Sequence, residues 1–167
     1  MNALIRGIEG LNAWIGERIK WVTTLLVLLI FVDVVLRYFF SMTKAWTIEL
    51  EWHLFALIFL LGAAYAFKED QHVRVDIFYA RWSARRKAWV NLVGTLFFLI
   101  PWCLVVIWTS FQYAENALIF QERSPNPGGL PARYVIKFAI TVGFVLLILQ
   151  AIAVVARSIQ TLRNPNR

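Results

Sequence analysis

From Ala88 to Phe111 the chain reads AWVNLVGTLFFLIPWCLVVIWTSF, a run without a single Asp, Glu, Lys, Arg or His. A helix rises about 1.5 Å per residue and the hydrocarbon core of a bilayer is about 30 Å thick, so about 20 apolar residues suffice to cross it. Three further segments share this character, at about 21–40, 48–67 and 134–156. Composition points the same way: 60% of the 167 residues are hydrophobic and 16% charged, against roughly 45–50% and roughly 25% in soluble domains. A small soluble fold has a large surface to cover with polar groups, and this chain does not supply them. The expected fold is an all-α integral membrane protein, one four-helix domain over residues 1–167.

Lys and Arg mark the direction of the spans, because positively charged short loops stay in the cytoplasm. Arg6, Arg18 and Lys20 precede the first span. Lys68, Arg74, Arg81, Arg85, Arg86 and Lys87 lie between the second and third, and Arg157, Arg163 and Arg167 close the chain. The opposite ends hold only Lys44, Arg123, Arg133 and Lys137, with Arg37 near the end of span one. Both termini and the middle loop are therefore expected inside. The net charge of +7 is read as a topology signal and an attraction to anionic lipid, not to nucleic acid. Arg81, Arg85, Arg86 and Lys87 suit phosphate headgroups, with Ser83 placed to cap the helix that follows. The N-terminal stretch lacks a small-residue cleavage site and reads as a retained helix. Leu4, Ile8, Leu11, Ile15 and Ile19 recur at helical spacing, which fits either an interfacial amphipathic helix or an extension of span one.

The polar residues inside the spans need reasons. Asp33 and Arg37 share a helix face four residues apart, either neutralising each other or reaching a neighbouring helix or subunit. Trp46-Thr47-Ile48-Glu49 opens span two, where Thr47 is expected to cap the helix and Glu49 to meet its positive dipole end, with a contact to another helix as the alternative. Small residues at Ala56, Gly62, Ala63 and Ala64 predict close helix approach. Pro101 predicts a fixed bend, and a turn-rich connector is expected from about Gln112 to Arg133 around Ser124-Pro125-Asn126-Pro127-Gly128-Gly129. Most of the eight tryptophans sit near span ends, whereas Trp102 and Trp108 lie inside span three and face lipid or a neighbour. Cys103 is alone and reads as a buried bystander. His53 and His72 fall at opposite ends, which argues against zinc and against paired haem ligands. No phosphate loop, activated nucleophile or carboxylate pair suggests catalysis, and no cofactor is expected.

Trp46-Thr47-x-Glu49-Leu50, then Gly62-Ala63-Ala64, then His72-Val73-Arg74-Val75-Asp76, in this order and spacing, resemble the small, Q-type membrane subunit of tripartite ATP-independent periplasmic (TRAP) transporters. Arg37-Tyr38, Leu130-Pro131, Gly143-Phe144 and Gln150 add to the likeness, which covers nearly the whole chain. The resemblance implies a non-catalytic subunit of the bacterial inner membrane that braces a large M-type transport subunit. The assembly would take up organic acids with sodium, delivered by a periplasmic binding protein. It also implies assembly roles for Asp33, Arg37, Trp46, Glu49 and Gly62, and a turn ordered by His72, Arg74 and Asp76. A self-sufficient proton-coupled exporter acting as a homodimer is the alternative. Its membrane acid would be Asp33, but Arg37 one turn away opposes protonation there.

Overall fold

A computed structural model describes residues 2–69, 79 and 82–163. His72, Arg74, Asp76 and Arg81 lie outside the described residues. Among the described residues there are four long helices: α1 (Asn2–Phe40), α2 (Ala45–Lys68), α3 (Ala84–Ile119) and α4 (Tyr134–Arg163). All four are long and apolar enough to cross a membrane.

Helix α4 is the hub. It packs against α1, α2 and α3, α1 also packs on α2, and α3 is joined to the rest through α4. The most apolar stretch of α4 is 39% buried, against 6–11% for the other three. Those three turn large side chains such as Phe31, Phe59, Phe97 and Trp108 outward. In lipid, association gains little from burying apolar surface, so close packing of small residues and hydrogen bonds between helices carry more of the load. The core shows this. Ala64, Ala114, Ala117, Ala139, Ala151 and Ala153 are all buried. Ser110 Oγ and Thr141 Oγ1 share a hydrogen bond of 2.8 Å between α3 and α4, beside an edge-on Phe111–Phe138 contact.

Two close approaches depend on glycine. A Cβ on Gly143 of α4 would lie 2.8 Å from the Leu60 carbonyl oxygen of α2, and one on Gly16 of α1 would lie 2.7 Å from Tyr65 Cδ1. Gly62, the glycine the sequence pattern favours, has room: a Cβ there meets only Ile19 Cγ2 at 4.0 Å. The tight α2–α4 contact falls half a turn away, at Leu60.

Helix α1 runs unbroken for 39 residues, a length of about 58 Å that exceeds the hydrocarbon core nearly twofold. No turn separates its amphipathic beginning from the apolar span, so of the two readings of this stretch the continuous rod is the one observed. Its polar stripe is bound to α4. Asn12 Nδ2 donates to Gln150 Oε1 at 2.8 Å, both residues being 1% exposed, and Arg157 donates to Glu9 Oε2.

Two local expectations are revised. Thr47 does not cap α2: the helix starts earlier, at Ala45, with Lys44 at the cap position and no side-chain cap bond. Helix α3 continues to Ile119, past the expected connector start at Gln112, because Gln112–Ile119 favours a helix beyond the point where apolarity ends. It stops in a Schellman turn, with Gln121 at φ 49°, Gln121 N–H on the Leu118 carbonyl and Glu122 N–H on that of Ala117. Pro101 follows a π turn over Thr95–Leu99, where the Ile100 N–H reaches back to the Thr95 carbonyl. The wider turn accommodates a proline ring that would otherwise press on the preceding carbonyls. The cap at Ser83 stands, its Oγ accepting from Arg86 N–H at 3.4 Å. Cys103 is fully buried.

Gly143→Ala is expected to destabilise the bundle by about 1–3 kcal/mol through overpacking against the Leu60 backbone. Gly62→Ala should fall within about 0.5 kcal/mol of the parent. Thermal unfolding of the two variants in detergent checks the contrast.

Candidate functional site

Glu49 is 4% exposed and lies one turn inside α2, beyond the first turn, where the helix's own free N–H groups are out of use. Its oxygens go elsewhere. Oε1 accepts from the Ser124 hydroxyl and from Asn126 Nδ2 at 3.0 Å, while Oε2 accepts from the Leu130 backbone N–H at 2.7 Å. The α3–α4 connector is thereby folded onto the start of α2.

The connector's sequence explains how it presents three donors to one carboxylate. Ser124 N–H donates to the Leu130 carbonyl at 3.1 Å and Gly129 N–H to the Asn126 carbonyl at 3.0 Å, closing a compact loop. Asn126 N–H donates to Ser124 Oγ at 3.1 Å, which orients the hydroxyl toward Glu49. Gly128 takes φ +73°, a conformation glycine adopts without strain. Gly129 is needed for space: its Cβ would lie 2.8 Å from Glu49 Oε2 and would collide with Ser124. The sequence reading missed these partners of Glu49. The signal was present in the topology, since both ends of the α3–α4 connector and the start of α2 fall on the same side of the membrane.

A second cluster at the same end also escaped it. Lys137 Nζ, in the first turn of α4, binds Glu122 Oε2 and lies 3.8 Å from the centre of the Tyr113 ring. Arg133 N–H donates to the Glu122 carbonyl at 3.1 Å, and its guanidinium reaches Glu122 Oε1 only at 4.0 Å.

The other sequence candidates occupy different places. Asp33 is 4% exposed, yet it makes no ion pair with Arg37 within 4.0 Å. Arg37 is exposed, with its guanidinium 5.6 Å from the Tyr38 ring. Glu51 Oε1 is buried without a hydrogen-bond partner among the described residues. His53 is tied to its own helix through Nδ1 and the Glu49 carbonyl, 2.5 Å apart, and stacks on Trp52 at 3.9 Å. Trp46, Arg85 and Arg86 are exposed, and Lys87 is partly exposed, 5.2 Å from the Tyr79 ring. Among the described residues no group of three His, Cys, Asp or Glu side chains is placed to hold a metal ion.

These features define a multi-pass helical membrane protein whose polar side chains chiefly join its own helices. Residues 26–161 match the family described as tripartite ATP-independent periplasmic transporters, DctQ component, and the chain belongs to that family. A protein of Haemophilus influenzae strain Rd, provisionally described as a TRAP transporter small permease protein, is 31% identical over 109 residues, covering 65% of this chain and 68% of its own. No solved structure matches the chain.

Glu49→Gln leaves one acceptor oxygen for three donors and turns an amide N–H₂ toward them. The loss of about 1–3 kcal/mol at the loop should speed hydrogen exchange at the Leu130 amide by about tenfold or more, while Asn12 and Gln150 at the far end stay protected. Unchanged exchange at Leu130 would show that Glu49 does not hold the connector.

Proposed function

We propose that this chain is the scaffold-bracing small subunit of a sodium-driven TRAP transporter for organic acids. It sits in the bacterial inner membrane with both termini in the cytoplasm, beside the large M-type subunit that receives substrate from a periplasmic binding protein. Membership of the small-permease family supports the assembly. The observation that carries the bracing role is the continuity of the helices. Transport sites in secondary transporters are built from broken helices whose free ends bind the cargo. Among the described residues the four helices carry one departure from α geometry, the π turn at Thr95–Leu99, and its backbone stays hydrogen-bonded.

The assembly surface belongs to the large exposed side chains of α1, with Trp46 and Ile48 at the start of α2. At its Glu49 end, Arg37 is exposed near the buried Asp33 and the half-buried Glu51, and these residues hold the subunit contact in this reading. Glu49 serves it indirectly, by fixing the connector. Gly62, with space around it, is open to a close approach by a partner helix. Arg85, Arg86 and Lys87 rest against headgroups. The self-sufficient exporter would need a coupling site of its own, and family membership gives it no support.

Co-expression with the cognate large subunit tests the proposal. The two should copurify and support sodium-dependent uptake, whereas this chain alone in liposomes should move no solute. Arg37→Ala should lower the copurified fraction severalfold and leave the KM of the residual uptake unchanged. Transport by the isolated chain, or a KM change without loss of assembly, would overturn the bracing role.

A further inference from the structure

Between α2 and α3, over the first turns of α4, lies a groove of about 460 Å³. Trp52, Phe55 and Phe59 form one wall and Ile136 and Ile140 the floor, with Tyr113 closing the far side. Helices α2 and α3 do not pack on each other, so the groove is open along its length toward the lipid. At one end it changes character abruptly, to Arg133, Lys137 and Glu122.

We propose that this groove binds one phospholipid, its phosphate on Arg133 and an acyl chain along Phe55 and Phe59. Within the groove two cations, Arg133 and Lys137, face one carboxylate, with Glu49 beyond it also within electrostatic reach of Arg133. Lys137 is engaged with Glu122, whereas the Arg133 guanidinium makes no hydrogen bond among the described residues and touches Glu122 only at 4.0 Å. A guanidinium edge with free N–H groups is the donor geometry that grips a phosphodiester. It sits 5.8 Å from the Trp52 ring, and an indole of this kind is at home at headgroup depth.

The dimensions agree. From Trp52 to Leu60 the α2 wall rises about 12 Å at 1.5 Å per residue, close to the roughly 15 Å of a single leaflet's hydrocarbon. The site lies at the opposite end of α2 from Arg85, Arg86 and Lys87, which makes it distinct from any headgroup contact there.

The test uses the full chain in nanodiscs of phosphatidylglycerol and phosphatidylethanolamine, doped with a phosphatidylglycerol that carries a photoreactive diazirine in mid-chain. Crosslinked peptides are mapped by mass spectrometry. Labelling is expected to concentrate on 52–60 and 136–140 at low probe fraction. Arg133→Gln should reduce it there by about tenfold, as loss of one charge-assisted contact implies, while labelling of Phe97 and Phe98 on the open face of α3 stays constant. Arg133→Lys should retain part of the signal. Uniform labelling of all lipid-facing residues, or groove labelling indifferent to Arg133, would overturn the site. So would loss of groove labelling alone when the large subunit is bound, which would assign the groove to protein.

Discussion

A carboxylate taken from water into the edge of a membrane must find its hydrogen-bond donors within the protein, and Glu49 finds three on one loop. That demand organises the whole Glu49 end of the bundle. The connector Phe120–Arg133 cannot swing free, because Ser124, Asn126 and Leu130 are held by α2, and α4 therefore enters the bundle from a fixed point. Glu122 continues the arrangement by binding Lys137 in the first turn of α4. The far end repeats the principle with different residues. Asn12 and Gln150, with Glu9 and Arg157, fasten α1 to the second half of α4. Between the two polar clasps the helices meet through alanine, serine and Gly143, with few large side chains buried.

Much of this was legible in the sequence, and the portion that was not has a common cause. Uninterrupted apolar runs identify spans because lipid tolerates only self-satisfied backbone, so the four helices and their approximate centres followed directly. The ends were harder. Apolarity reports the thickness of lipid, whereas a helix runs on as long as its backbone bonds are satisfied, and so α3 reaches Ile119 and α1 begins near Asn2. Ser83 was readable as a cap because Ser immediately before a helix has a local role. Thr47 was not, because the helix begins ahead of it at Ala45, with the extended Lys44 in the cap position.

Glu49 stood out as a residue in need of an explanation, but its partners lie 75 or more residues away in sequence. No local pattern links them. The same holds for Asn12 with Gln150, 138 residues apart. Glycine shows the limit clearly: Gly62 lies in the motif, while the backbone contact that excludes a side chain is at Gly143, and only the crossing of two helices distinguishes them.

The π turn at Thr95–Leu99 leaves a geometrical legacy along α3. Such a turn holds one residue more than its α neighbours, so everything after it is rotated by about 100° relative to an uninterrupted helix. Ala88 before it, Thr95 at its first position, and Cys103, Ser110, Ala114 and Ala117 after it, all point into the bundle only because of that offset. Evolutionary loss of any one residue from this stretch would spin the two halves out of phase and present Trp102 and Trp108 in a new direction, so the count of residues here is as constrained as their identity.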